Sequence, residues 1–363
     1  MLTCAGCRKP IAGAYVNALG ADWHPGCFWC AGCGQPVGEA QFIEHEGRAY
    51  HAGCYHARFS PRCAGCGQAI TGEYTNALGK SWHPEHFVCA RCDKPFVGRN
   101  FYERDGKPYC EADYHLLFSP KCAVCGEPLR GRYSVNLWGD TYCERHNNEL
   151  SKCYSCGRLV CQHLTGGGVK YSDGRSMCNL CRRTAIDDVR EGERIVSDVK
   201  RAMAGWGMDL GAARIPMRLT DQAELSRRSM RDYASDPSGM ACTRVWTQGT
   251  RVVRREVEEI LVLHGLPREH FATVAAHELG HAWLFLNEFP ELPPLVEEGL
   301  CELCEYLWLA GQGTPEAKYR LQVMDSNKDP VYGAGFQAAL RALEGSTLPG
   351  LLEYVRAHRR FPS

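Results

Sequence analysis

His277 and His281 stand four residues apart, with Glu278 beside the first, in the stretch "TVAAHELGHAWLF". Residues four apart share one helix face, so both imidazoles can hold one metal ion, at Zn–N distances of about 2.0–2.1 Å if the ion is zinc. A carboxylate next to them can take a proton from water. So short a pattern also arises by chance, and the reading therefore requires a third ligand. The next apolar stretch, "LVEEGLCELCEYLWLA", offers Glu297, Glu298 and Glu302. Glu298 and Glu302 share a face and stand among Leu300, Leu303 and Leu307. Two carboxylates on a merely solvated face would not explain that setting. Glu302, one turn beyond Glu298, is expected to accept a hydrogen bond from the far nitrogen of a metal-bound histidine, which fixes the tautomer.

The metzincin continuation H-x-x-G-x-x-H is missing after His281. "VEEGLCE" is instead similar to the third-ligand helix of gluzincins, the H-E-x-x-H peptidases whose third zinc ligand is a glutamate. That resemblance implies Glu298 as third ligand, with Glu297 as its rival, and Glu278 as the group that polarises the water and passes its proton to the leaving amine. Tyr332 precedes a glycine-rich turn in "DPVYGAGF", and its hydroxyl could stabilise an oxyanion; simple packing competes. Cys301 and Cys304 form a C-x-x-C pair for which a zinc or redox role competes with burial as small hydrophobes.

These groups need elements to hold them. A helix is expected from Pro267 through "REHFATVAAHELGHAWLFLNEF", stopping near Pro290, and a second over 295–310. Ile186, Val189, Val196, Val199 and Met203 repeat at helical spacing. "RIPMRLT" and "MACTRVWTQ" read as strands, "VEEILVLHGLP" as strand or helix, and 221–240 as polar loop with a short helix.

The N-terminal half carries a different chemistry. Of 22 cysteines, 19 lie before residue 182, mostly in C-x-x-C pairs interleaved with histidines, a pattern zinc uses and disulfides do not. Cys4, Cys63 and Cys122 recur every 59 residues, the mark of a modular array. The first module gives the sets Cys4, Cys7, His24, Cys27 and Cys30, Cys33, His51, Cys54. The second gives Cys63, Cys66, His83, His86 and Cys89, Cys92, Cys110, Asp113. Both resemble LIM domains, in which aspartate is an accepted last ligand. The third, Cys122, Cys125, Cys143, His146 and Cys153, Cys156, Cys178, Cys181, has six residues between its halves instead of two and is LIM-like. Cys161 and His163 could compete there as ligands, although an unligated loop pair is the simpler reading. Metal supplies the folding free energy of such small modules, on the order of 10 kcal/mol or more.

Lysine plus arginine equals aspartate plus glutamate at 42 each, which leaves no basic excess for nucleic acid. No apolar run reaches the roughly 18 residues of a membrane span. "MLTCAGCRKP" has no hydrophobic signal core, and a cytoplasmic protein is expected. "LVLHGLPR", "AAHELGHAWL", "VEEGLCE", "DPVYGAGF" and "RRFP", with "YSDGRSMCNLC" in the third module, resemble in order the blocks of the ubiquitin-activated LIM-domain peptidases that limit organ growth in plants. The resemblance implies a zinc endopeptidase of protein substrates, with one catalytic and about six structural zinc ions and ubiquitin as an activator. Against that family the chain is expected to be a shortened form, with an extra LIM module at 1–60 and without the ubiquitin-interacting segment that precedes the LIM domain in the plant proteins. The expected fold is multidomain: small zinc-stabilised β-rich LIM modules at 1–60 and 61–120, a LIM-like module at 121–183, and an α+β gluzincin-like peptidase domain at 184–363 that opens with a helical linker to about 206. The alternative is a LIM scaffold with a catalytically retired domain.

Overall fold

A computed structural model describes residues 2–38, 40–96, 98, 100–228 and 237–362. The chain divides into two compact units, Met1–Ser119 and Pro120–Ser363. The first unit holds two modules of one design. Each has two three-residue hairpins and a closing helix: Val16–Ala18 with Ala21–Trp23, Ile43–His45 with Arg48–Tyr50, then Ala52–Phe59 in the first. The second repeats this with Thr75–Ala77, Lys80–Trp82, Tyr102–Arg104, Lys107–Tyr109 and Glu111–Phe118. Their apolar centres are small. Phe28 packs between Trp23 and Phe42 at ring separations of 5.6 and 5.0 Å, and Phe87 takes the same place between Trp82 and Phe101.

The second unit is built on a three-stranded mixed sheet and six principal helices. The strands are β1 (Met217–Thr220), β2 (Gly239–Gln248) and β3 (Arg251–Leu263), in the order β1-β3-β2. β1 runs parallel to β3, and β2 pairs antiparallel with β3 as a long hairpin. β2 is therefore an edge strand. The helices are α1 (Val189–Gly205), α2 (Arg268–Leu286), α3 (Pro294–Ala310), α4 (Pro315–Ser326), α5 (Tyr332–Glu344) and α6 (Leu348–His358). The ambiguous "VEEILVLHGLP" is strand, and its buried run Ile260–Leu263 fits a strand covered on both faces. Of the segment expected as loop and short helix, Gln222–Arg228 is helical, and 229–236 lie outside the described residues. Among the described residues, no helix is long and apolar enough to cross a membrane.

α1 starts at an Asp188 cap, whose carboxylate accepts the Glu191 N–H at 3.0 Å, and buries Ile195, Val196, Val199 and Met203. It is thus part of the core rather than the linker expected over 184–206. The division expected at 183/184 also falls inside one core. Cys153, Cys156, Met177 and Cys178 of the third zinc module lie in the same buried cluster as Ile195, Phe271, Leu279 and Leu303. Trp138 of that module stacks on Tyr319 of α4 at 4.7 Å, and Arg175 donates to the His264 carbonyl at 3.2 Å. The first two modules close around their own aromatic residues, whereas the third completes its core against helices.

Candidate metal centre

α2 is buried without interruption from His270 to Leu284. A helix buried all round belongs inside a domain, and this one carries the polar residues His270, Thr273, His277, Glu278 and His281 among its buried positions. α3 begins with Pro294 at its first turn and packs along α2. Its approach brings Glu298, which has no solvent exposure, onto the two histidines. Glu298 Oε2 lies 3.1 Å from His277 Nε2 and 3.4 Å from His281 Nε2, and the two Nε2 atoms are 3.2 Å apart. Tetrahedral zinc with bonds of about 2.0–2.1 Å separates its ligand atoms by about 3.3–3.4 Å. The three donors match that spacing, and their type, two imidazoles and a carboxylate, suits zinc. Burial alone would lower the affinity of both histidines for protons. Glu298 and Glu305 outweigh it at His277, Glu297 and Glu298 at His281, and both rings are raised. Burial likewise pushes Glu298 up, but the two imidazoles hold it well below the usual carboxylate range. Three ionisable groups focused on one buried point are the electrostatic counterpart of a cation site.

The outer contacts differ from expectation. His277 Nδ1 meets Glu305 Oε1 at 2.9 Å, and His281 Nδ1 meets Glu297 Oε1 at 2.9 Å. Each carboxylate turns its imidazole so that Nε2 points inward. Glu302, expected in this role, holds neither position. Burial and the neighbouring Glu305 push its carboxyl up to about 8. Helix geometry gives the reason: seven residues bring Glu305 back to within about 20° of Glu298's direction, while four leave Glu302 about 40° off. Glu297, the rival third ligand, sits on the outer side of His281.

Glu278 is buried and lies against the first residue of β2. A Cβ at Gly239 would come within 2.9 Å of Glu278 Cγ and Oε1, so the backbone approaches the carboxylate as closely as only glycine permits. Tyr332 opens α5, its N–H held by Asp329 Oδ1 at 2.9 Å, and its ring centroid is 6.3 Å from that of His277. Cys301 and Cys304 are fully buried, Cys304 Sγ contacts Met208 Sδ at 3.7 Å, and burial pushes the Cys304 thiol up to about 12. They pack as apolar groups.

None of the 22 cysteines is joined in a disulfide. Ligand atoms lie within 4.8 Å of one another in Cys4, Cys7, His24, Cys27; in Cys30, Cys33, His51, Cys54; in Cys63, Cys66, His83, His86; in Cys122, Cys125, Cys143, His146; and in Cys153, Cys156, Cys178, Cys181. Zinc–sulfur bonds of about 2.3 Å require tetrahedral S···S edges of about 3.8 Å. Cys122–Cys143 at 3.8 Å and Cys156–Cys178 at 3.7 Å meet that value. In the remaining set, Asp113 Oδ2 is 3.2 Å from Cys89 Sγ and 3.1 Å from Cys110 Sγ, and Arg91 donates to Oδ1 at 2.7 Å. Burial works against thiolate formation at Cys4, Cys30 and Cys63, but backbone N–H groups donated to each sulfur bring them down to about 6, ready for metal. Cys161 instead caps the helix Gln162–Thr165 by accepting the Leu164 N–H, and His163 is exposed.

Family comparisons agree with this division of labour. The LIM domain model matches residues 4–59 and 63–118, and the model described as Protein DA1 matches residues 183–323. The chain carries two LIM domains and a DA1-like domain. The DA1-like match includes every donor and outer carboxylate of the buried centre, while neither match includes 119–182. Paxillin-B of Dictyostelium discoideum is 48% identical over 120 residues, which are 33% of this chain. That stretch is 21% of paxillin-B, so the chain matches about a fifth of that relative's length.

Proposed function

We propose that the DA1-like domain is a zinc-dependent endopeptidase of protein substrates and that the LIM domains recruit those substrates or regulate their cleavage. The observation that carries this reading is the triangle of His277 Nε2, His281 Nε2 and Glu298 Oε2, with sides of 3.1, 3.2 and 3.4 Å. A zinc ion held there would supply Lewis-acid polarisation of a carbonyl and would acidify a water molecule. Glu278 takes the proton of the attacking water and returns it to the leaving amine nitrogen. Glu305 and Glu297 keep the imidazoles in the ligand tautomer. Tyr332 donates its hydroxyl to the oxygen that gains charge as the carbonyl carbon becomes tetrahedral. The edge of β2, which pairs with no further strand among the described residues and starts beside Glu278, takes the substrate main chain as an added strand. Cysteines grouped as metal-ligand sets rather than joined in disulfides suit a reducing compartment, and we place the protein in the cytoplasm.

The test is Glu278→Gln in the full chain, assayed on casein and on a ubiquitin ligase. Loss of the general base should cut turnover about a hundredfold or more with folding and zinc content unchanged. Unchanged cleavage would leave the second reading, a LIM scaffold with a retired domain. The same assay with and without free ubiquitin decides whether ubiquitin activates.

A further inference from the structure

The first backbone of β2 is anchored from a distant part of the chain. Ser238, the residue before Gly239, has its Oγ 2.7 Å from the hydroxyl of Tyr154, and its carbonyl accepts the Leu263 N–H of β3 at 3.0 Å. Tyr154 lies in the turn Cys153-Tyr154-Ser155-Cys156, between two ligands of the third module's cysteine set. Its ring stacks on His270 of α2 at 5.9 Å. The hydroxyl of Ser155 meets His270 Nδ1 at 3.0 Å and receives Arg320 Nη2 of α4 at 2.9 Å. One metal-binding turn thus touches the helix bearing the two histidines, its neighbour α4, and the entry of the edge strand.

We propose that Tyr154 is a positioning residue of the peptidase site: through Ser238 it fixes the main chain of Gly239–Cys242 alongside Glu278, so that an incoming substrate strand meets a preformed edge. This rests on the peptidase reading and deepens it. The third module then sets how well substrate is held, apart from any recruitment by the LIM domains.

The experiment compares Tyr154→Phe, Ser238→Ala, the double variant and Glu278→Gln in the full-length, zinc-loaded protein. Tyr154→Phe keeps the ring that stacks on His270 and deletes only the hydroxyl. Loss of one hydrogen bond should raise KM for casein about fivefold with kcat little changed, and the double variant should be no worse than either single one, because all three delete the same bond. Hydrogen exchange at the amides of 239–242 should accelerate by a similar factor, a readout that needs no catalysis. Unchanged exchange, additive KM effects, or a fall in kcat at constant KM, as fewer folded molecules would produce, overturns the proposal. Should wild type and Glu278→Gln prove equally inactive, the peptidase reading fails while the exchange data still decide whether Tyr154 holds the strand.

Discussion

At the scale of residues, the outer carboxylates distinguish this centre from the pattern its sequence suggests. Glu305→Gln should weaken zinc binding at the buried centre about 10- to 100-fold, measured by competition with a chromophoric chelator. Glu302→Gln should change it little, since Glu305 and Glu297, and not Glu302, stand at the outer nitrogens of the two imidazoles. Equal losses in the two variants would restore Glu302 to the role expected of it. His277, Glu278 and His281 were legible because their spacing is local and helical. Glu298 needed only the next helix. Glu305 was missed because its relation to Glu298 runs over seven residues, two turns, where a search over one turn stops. Tyr154 and Ser155 left no signal at all: nothing in "CYSC" says that its side chains will meet a strand and two helices far along the chain.

At the scale of elements, two glycines decide how the second unit packs. α3 and α5 cross where Gly299 faces Gly335, and a Cβ on Gly335 would lie 2.5 Å from the Leu295 carbonyl oxygen. Gly335→Ala should therefore force the helices apart at a cost of about 1–3 kcal/mol. At about 2–4 °C per kcal/mol, thermal unfolding should show it directly. Because α5 carries Tyr332, turnover should fall more than stability alone would dictate; an unchanged melting temperature would remove the crossing from the account. α2, α3, β1, β2 and the helical character of α1 could all be read from period and breakers. The packing of α1 could not, because an amphipathic stripe says that a face is buried but not against what.

At the scale of the whole molecule, the useful dividing line is after Ser119. A fragment of 120–363 should fold, whereas 184–363 should melt about 10 °C lower or aggregate, since it loses Met177 and the cysteine set from a shared core. Equal melting temperatures would show that the third module only rests on the helices. The LIM periodicity made the repeats plain in the sequence, yet the same repeat concealed that its third copy has been absorbed by a neighbour. The two LIM domains stand in contrast. Among the described residues, one has six buried residues at its principal apolar centre and the other four, too few to outweigh the entropy of ordering a chain of that length. Starved of its ions, the protein should come undone from the front: the first 119 residues should lose their shape before α2 and α3, which bury Phe271, Leu279 and Leu303 in a larger apolar core, come apart.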